Sequence, residues 1–133
     1  MFVGNLIAIF YALTGLATPS GKYVGSKTVF GETIGASVSF RDSNTLDFAI
    51  TGAFELNCAG EPYVVSGNEI VLLDINEVGD CAHDALSDNG VTLTDILYDG
   101  TKNHITVSVK YSVAKIDLEL SPELNFMTDV YTY

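Results

Sequence analysis

Cys58 and Cys81 are the chain's two cysteines, and they are the first residues whose type points to chemistry. An even count in a small exported chain argues for a disulfide. Closing a loop of this length stabilises a fold by roughly 3 kcal/mol in the chain-entropy model. A reactive thiol would instead need a base nearby, and His83 is the candidate for that role. The bridge is the expected arrangement. The two imidazoles, His83 and His104, offer little else. His83-Asp84 contains a pairing used in base catalysis, but sequence neighbours on a helix do not face each other. No Gly-x-Ser-x-Gly elbow, His-Glu-x-x-His helix or glycine-rich phosphate loop occurs. A glycosidase-type carboxylate pair needs two acids across a cleft, and the seventeen acids single out no pair. Asp74, Glu77, Asp80, Asp84 and Asp88 gather in one stretch, where oxygen ligands can hold a hard cation. Their spacing matches no calcium loop, so they read as solvated charge on an exposed helix. The expectation is a non-enzyme with no catalytic residue, no metal ligand and no cofactor.

Six of the fourteen aromatics fall where a strand could turn them inward: Tyr23, Phe40, Phe48, Phe54, Tyr98 and Tyr111. On the inner face of a curved sheet they would line a site for an apolar small molecule. The same rings can equally close-pack as a filled core.

The elements that must position them are strands. Ile34, Ala36, Val38 and Phe40 alternate with polar or small residues, as do Leu46, Phe48 and Ile50, and again Ile105, Val107, Val109 and Tyr111. That period of two means strands with one buried and one wet face. Gly31-Glu32, Asp42-Ser43-Asn44, Ser66-Gly67-Asn68 and Asp99-Gly100 through Asn103 read as turns. Turns about every ten residues fit an antiparallel up-and-down barrel or a β-sandwich. Apolar parity is kept from Leu46 to Cys58, through either a hairpin at Thr51-Gly52-Ala53 or one long strand bent at Gly52. Parity flips between Val113 and Ala114. A two-residue hairpin at Ser112-Val113 would do this, but neither residue suits the positive φ of tight hairpins. A bulge in a long curved strand from His104 to Leu120 is therefore expected, and bent strands favour a barrel. One short helix interrupts the pattern: Asp80 caps it, Cys81, Ala82, Ala85 and Leu86 form its apolar face, and Asn89-Gly90 stops it. The tail 122–133 has no clear period.

Composition sets the outer bounds. The 133 residues, 47% of them apolar, suit one folded domain and exclude a disordered chain. A net charge of −11 repels phosphate and excludes a nucleic-acid partner. Leu6 to Leu13 is an apolar run, and Gly15-Leu16-Ala17 places small residues at a cleavage site. Residues 1–17 thus read as a signal peptide, although no Lys or Arg precedes the apolar run. The mature domain, 18–133, would then be secreted, without stable membrane insertion. No Asn-x-Ser/Thr sequon is present.

Gly21 and Tyr23 open the first strand, within Ser20-Gly21-Lys22-Tyr23-Val24-Gly25. This resembles the start of the calycins, the lipocalins and their kin, whose Gly-x-Trp motif begins the first barrel strand. Here Tyr stands for Trp. The resemblance implies an eight-stranded up-and-down barrel holding an apolar small molecule, with the aromatic plugging the closed end. Arg41, the single arginine, does not lie near the C-terminus as the lipocalin arginine does, and no C-terminal helix is evident. Two functions follow as expectations. One is a secreted carrier with an apolar ligand inside its barrel. The other is an extracellular interaction module, such as a protease inhibitor or receptor-binding effector, with a filled core and a protein partner.

Overall fold

The alternating apolar sets converge on one interior. Ile34, Ala36 and Val38, Leu46, Phe48 and Ile50, Ile105, Val107 and Val109, and Ile116, Leu118 and Leu120 are all buried. The computed structural model describes residues 18–123, so the expected leader and the tail beyond Glu123 lie outside the described residues. The strands are β1 (Lys22–Val29), β2 (Glu32–Phe40), β3 (Thr45–Thr51), β4 (Leu56–Ser66), β5 (Glu69–Leu72), β6 (Val91–Asp99), β7 (His104–Tyr111) and β8 (Ala114–Pro122). Helix α1 (Cys81–Asp88) stands between β5 and β6. Each strand pairs antiparallel with its sequence neighbour, and β8 returns to β1. The architecture is a closed eight-stranded barrel and not a sandwich.

An up-and-down path sorts the connections between two ends. The turns at 30–31, 52–55 and 112–113 share one end with the 73–90 connection and its helix, here called the helical end. The turns at 41–44, 67–68 and 100–103 lie at the other, beside the start of β1 and the close of β8. This is the terminal end.

The helix forms as its sequence dictates. The Asp80 side chain accepts the His83 amide at 3.1 Å, Ala82 and Leu86 are buried, and Gly90 at φ 68° follows the Asn89 cap. It packs on β4 and β6. Between those strands β5 has four residues and meets β6 at the single register pair Glu69↔Leu97. Thus α1 covers a gap in the barrel wall. The Cys58–Cys81 disulfide, with Cα atoms 5.7 Å apart, fastens it to β4.

One turn differs from expectation, and another settles between two readings, a hairpin and a bent strand, in favour of the hairpin. β7 and β8 are separate strands joined by a hairpin, with Tyr111 facing Ala114 across Ser112-Val113. Only Ser112 of the two takes positive φ, at 60°. A turn of the II′ kind needs positive φ at its first central residue alone, so the objection to this hairpin covered one position and not two. The continuous bulged strand is therefore replaced by the hairpin that the parity flip also allowed. Between β3 and β4 the chain likewise reverses, over 52–55, and Ile50 faces Leu56. Gly52, at φ 112°, lies against Ile34 and the Thr33 carbonyl, which a Cβ there would overlap.

Candidate functional site

The six sequence-selected aromatics do not form one cluster. At the terminal end Tyr23 meets Phe40 edge-on, with centroids 6.0 Å apart, and meets Tyr98 at 6.4 Å. Tyr63, which sequence reasoning did not single out, extends the group by packing on Phe40 at 5.4 Å. Asn103 is the polar centre of this end. Its Oδ1 accepts from the Tyr23 hydroxyl at 2.6 Å and from the Tyr98 hydroxyl at 2.9 Å. Burial raises the Tyr23 phenol above its ordinary value, and burial, together with the Asp42 charge, does the same to Tyr63. The Tyr63 hydroxyl donates to the Asp42 carbonyl at 3.1 Å. Phe48 sits fully buried in mid-barrel. Phe54, in the 52–55 turn, and Tyr111, at the end of β7, pair at 5.4 Å at the helical end.

Packed side chains occupy the centre. Val38, Leu46, Phe48, Ile50, Ile105, Val107, Val109, Leu118 and Leu120 each have 0% exposure. A void that admitted even water would leave accessible area on the side chains lining it, so these leave no room for a ligand. Space lies instead at the surface. A cleft of about 370 Å³ at the terminal end is walled by Pro19, Phe40, Tyr63 and Val65 and edged by Arg41 and Asp42. Another, of about 290 Å³, lies beside α1 among Ile75, His83, Leu86 and Leu93.

The helical end differs in kind. Phe30, Val78 and Val113 are 87%, 90% and 93% exposed, on three separate connections of that one end. Leu73, on the same 73–90 connection, is also exposed, while Val64 and Val65 on β4 are less so; an end that gathers exposed apolar side chains is a candidate contact surface.

Among the described residues the two histidines are held apart. His83 Nδ1 lies 2.8 Å from the Ile75 carbonyl, which ties the ring to the backbone. His104 Nδ1 approaches Glu119 at 3.4 Å on the outer surface. Among the acids near α1, Asp80 caps the helix and Asp84 accepts the Gly79 amide at 3.1 Å. Glu61, which sequence reasoning missed, is different. It is only 3% exposed, and its Oε1 has no hydrogen-bond partner. Burial first, then the adjacent Asp80 carboxyl and the Asp74 charge, push it up to about 7, against the pull of the Ala82 amide. A Glu61 carboxylate oxygen and the sulfurs of Cys58 and Cys81 lie within 4.8 Å of one another. Both sulfurs are spent in the disulfide, so this trio is no thiolate metal site.

A β-bulge explains why Glu61 was hidden. Leu46 faces Glu61 and Phe48 faces Cys58, so three steps on β4 answer two on β3. Gly60, at φ 71°, takes up the extra residue. Inward parity therefore passes from Leu56 and Cys58 to Glu61 and Tyr63. The Ala59-Gly60 pair in the sequence was the available signal.

No protein-family model, curated protein or solved structure matches the chain.

Proposed function

We propose that this chain is an extracellular interaction module: a filled barrel that uses the loops of its helical end to bind a protein partner. The observation that carries this reading is the contrast between a centre without free volume and the exposed Phe30, Val78 and Val113 at one end. Aromatic and aliphatic anchors on loops are what partner-binding surfaces use, while the scaffold behind them stays rigid. A disulfide among the described residues is compatible with an oxidising compartment. Likewise, no described helix is long and apolar enough to cross a membrane. The leader pattern at 1–17 adds the export signal. The test is capture from extracellular fluid by the wild type and by a Phe30→Ser, Val78→Ser, Val113→Ser variant. A saturable partner retained by the wild type and lost by the folded variant is expected. Equal capture by both would overturn the reading.

The terminal-end cleft favours a second reading, nearer to the calycin resemblance. Its volume of about 370 Å³ and its walls of Pro19, Phe40, Tyr63 and Val65 suit a small apolar ligand held at the mouth and not within the barrel. Tyr23, buried beneath the surface, packs edge-on against Phe40 at the base of this cleft. A fluorescent fatty-acid probe that binds saturably to delipidated protein, and is released by Phe40→Ser, would support this reading. The interaction module predicts no such binding.

A further inference from the structure

The disulfide and the buried acid beside it form a unit that a purely structural bridge does not require. Its two sulfurs are unequally placed. Cys58 is 1% exposed in the core, whereas Cys81 is exposed in the first turn of α1. Of the two residues, only Cys81 is open to an incoming thiolate. Attack there expels Cys58 as the leaving group, into apolar surroundings where a bare thiolate is strongly disfavoured. A proton donor at that spot would remove the difficulty. Glu61 stands there, within 4.8 Å of both sulfurs, with an orphaned oxygen and almost no contact with water. The other oxygen has the Asp80 carboxyl and the Ala82 amide beside it, but leaving one oxygen of a buried carboxyl unpaired costs stability, so its position calls for a reason. The charged groups facing it, Asp80 at the helix cap and Asp74 on the preceding loop, both favour its protonated form. Across on β3 its register partner is the apolar Leu46.

We propose that Cys58–Cys81 is a thiol–disulfide exchange site, with Cys81 the sulfur attacked and Glu61 the acid that protonates Cys58. The co-reactant is an external dithiol, either a small molecule or a protein. One of its thiolates bonds to Cys81 Sγ, the Sγ–Sγ bond breaks, and its electron pair goes to Cys58 Sγ. Cys58 takes the proton of Glu61 and becomes a thiol, leaving a carboxylate that regains a proton from solvent. The second thiolate of the co-reactant then attacks its own sulfur in the mixed disulfide and frees Cys81. Overall the protein gains two electrons, one proton on Cys58 and a second when solvent protonates the Cys81 thiolate, and the dithiol becomes a disulfide. The helix N-terminus favours the Cys81 thiolate so released. The exchange detaches α1 from β4, where the helix covers the gap left by the short β5. This proposal does not rest on either reading of the barrel's partner.

The test follows native-state reduction by dithiothreitol in wild type and in Glu61→Gln, from pH 5.5 to 8.5. Comparing the two at each pH cancels the ionisation of the reagent. The wild type is expected to react about tenfold faster or more near pH 6, in line with general-acid assistance, and the ratio should approach one above pH 8. A ratio that does not change with pH would overturn the role of Glu61. A second measurement needs no variant: a brief exposure of wild type to glutathione, an acid quench and peptide mapping. The adduct is expected on Cys81. Adducts divided evenly between the cysteines, or reduction only in urea, would show a structural bridge and overturn the site.

Discussion

Glu61 titrates across the neutral range, and its sign can be worked through. Its folded value of about 7 lies above the ordinary 4.5. Between those values the folded chain binds more protons than the unfolded chain, so the contribution of Glu61 is fully present below about pH 4.5 and is lost as pH rises through 7. The gap between those two values corresponds to roughly 3 kcal/mol. Urea denaturation of wild type and Glu61→Gln at pH 5 and pH 8 isolates it. The variant is expected to be the more stable at pH 8 by about 1–3 kcal/mol, with the gap narrowing at pH 5; a gap that stays constant would refute the assignment. Asn103 offers a second test at this scale. Its Oδ1 serves two tyrosine hydroxyls, so Asn103→Ala strands both donors and should cost about 2 kcal/mol in urea. Its left-handed φ of 57° suits Asn as well, so Asn103→Gly, which keeps that backbone open, separates the lost hydrogen bonds from backbone strain. Tyr23 was legible from its sequence context, whereas Asn103 read only as a turn residue because its partners are brought to it by the fold.

Among the elements, the strands were legible wherever parity was unbroken. β2, β3, β7 and β8 bury the side chains their alternation marked, except that Phe40, Tyr111 and Ala114 at strand ends are only half-buried. The helix was legible from its cap and its Asn-Gly stop, and its face from Ala82 and Leu86, whereas Cys81, assigned to that face, is exposed; the bridge was legible from the pairing of two cysteines. Parity breaks were harder, because a bulge and a two-residue hairpin both shift the inward set by one residue. At Ser112-Val113 the break is a hairpin, and in β4 it is a bulge that turns Glu61 inward. A third break, between Leu93 and Asp95, moves the inward set of β6 to Ile96 and Tyr98. The hairpin carries its own prediction. Ser112 bears the strain of φ 60°, which glycine accepts without it. Ser112→Gly should therefore raise the urea midpoint by the equivalent of about 0.5–1 kcal/mol. Glycine in a continuous strand would do the opposite, so a lower midpoint would argue for the strand that the hairpin replaced.

For the whole molecule, closure is the property on which both the core and the loop display depend. The register of the closing seam runs from Tyr23↔Pro122 to Val24↔Ser121, supported by the Glu123 amide donating to the Lys22 carbonyl at 2.8 Å. It joins the first strand to the last, so almost the entire domain must be ordered before it can form, and little local structure compensates for its loss. Gly25 lets the two backbones approach there, since a Cβ would overlap the Glu119 carbonyl oxygen and press on the Leu120 side chain. Backbone cannot swing aside as a flexible side chain can. Gly25→Ala should therefore part β1 from β8 near its middle and lower stability by about 2–4 kcal/mol. Because the wild-type centre is full, the wild type should bind little of the hydrophobic dye anilinonaphthalene sulfonate, whereas the opened variant should bind it strongly. The two measurements separate the causes. A destabilised variant that stays dark to the dye would place the strain elsewhere, and a bright wild type would contradict the filled interior on which the loop-borne function rests.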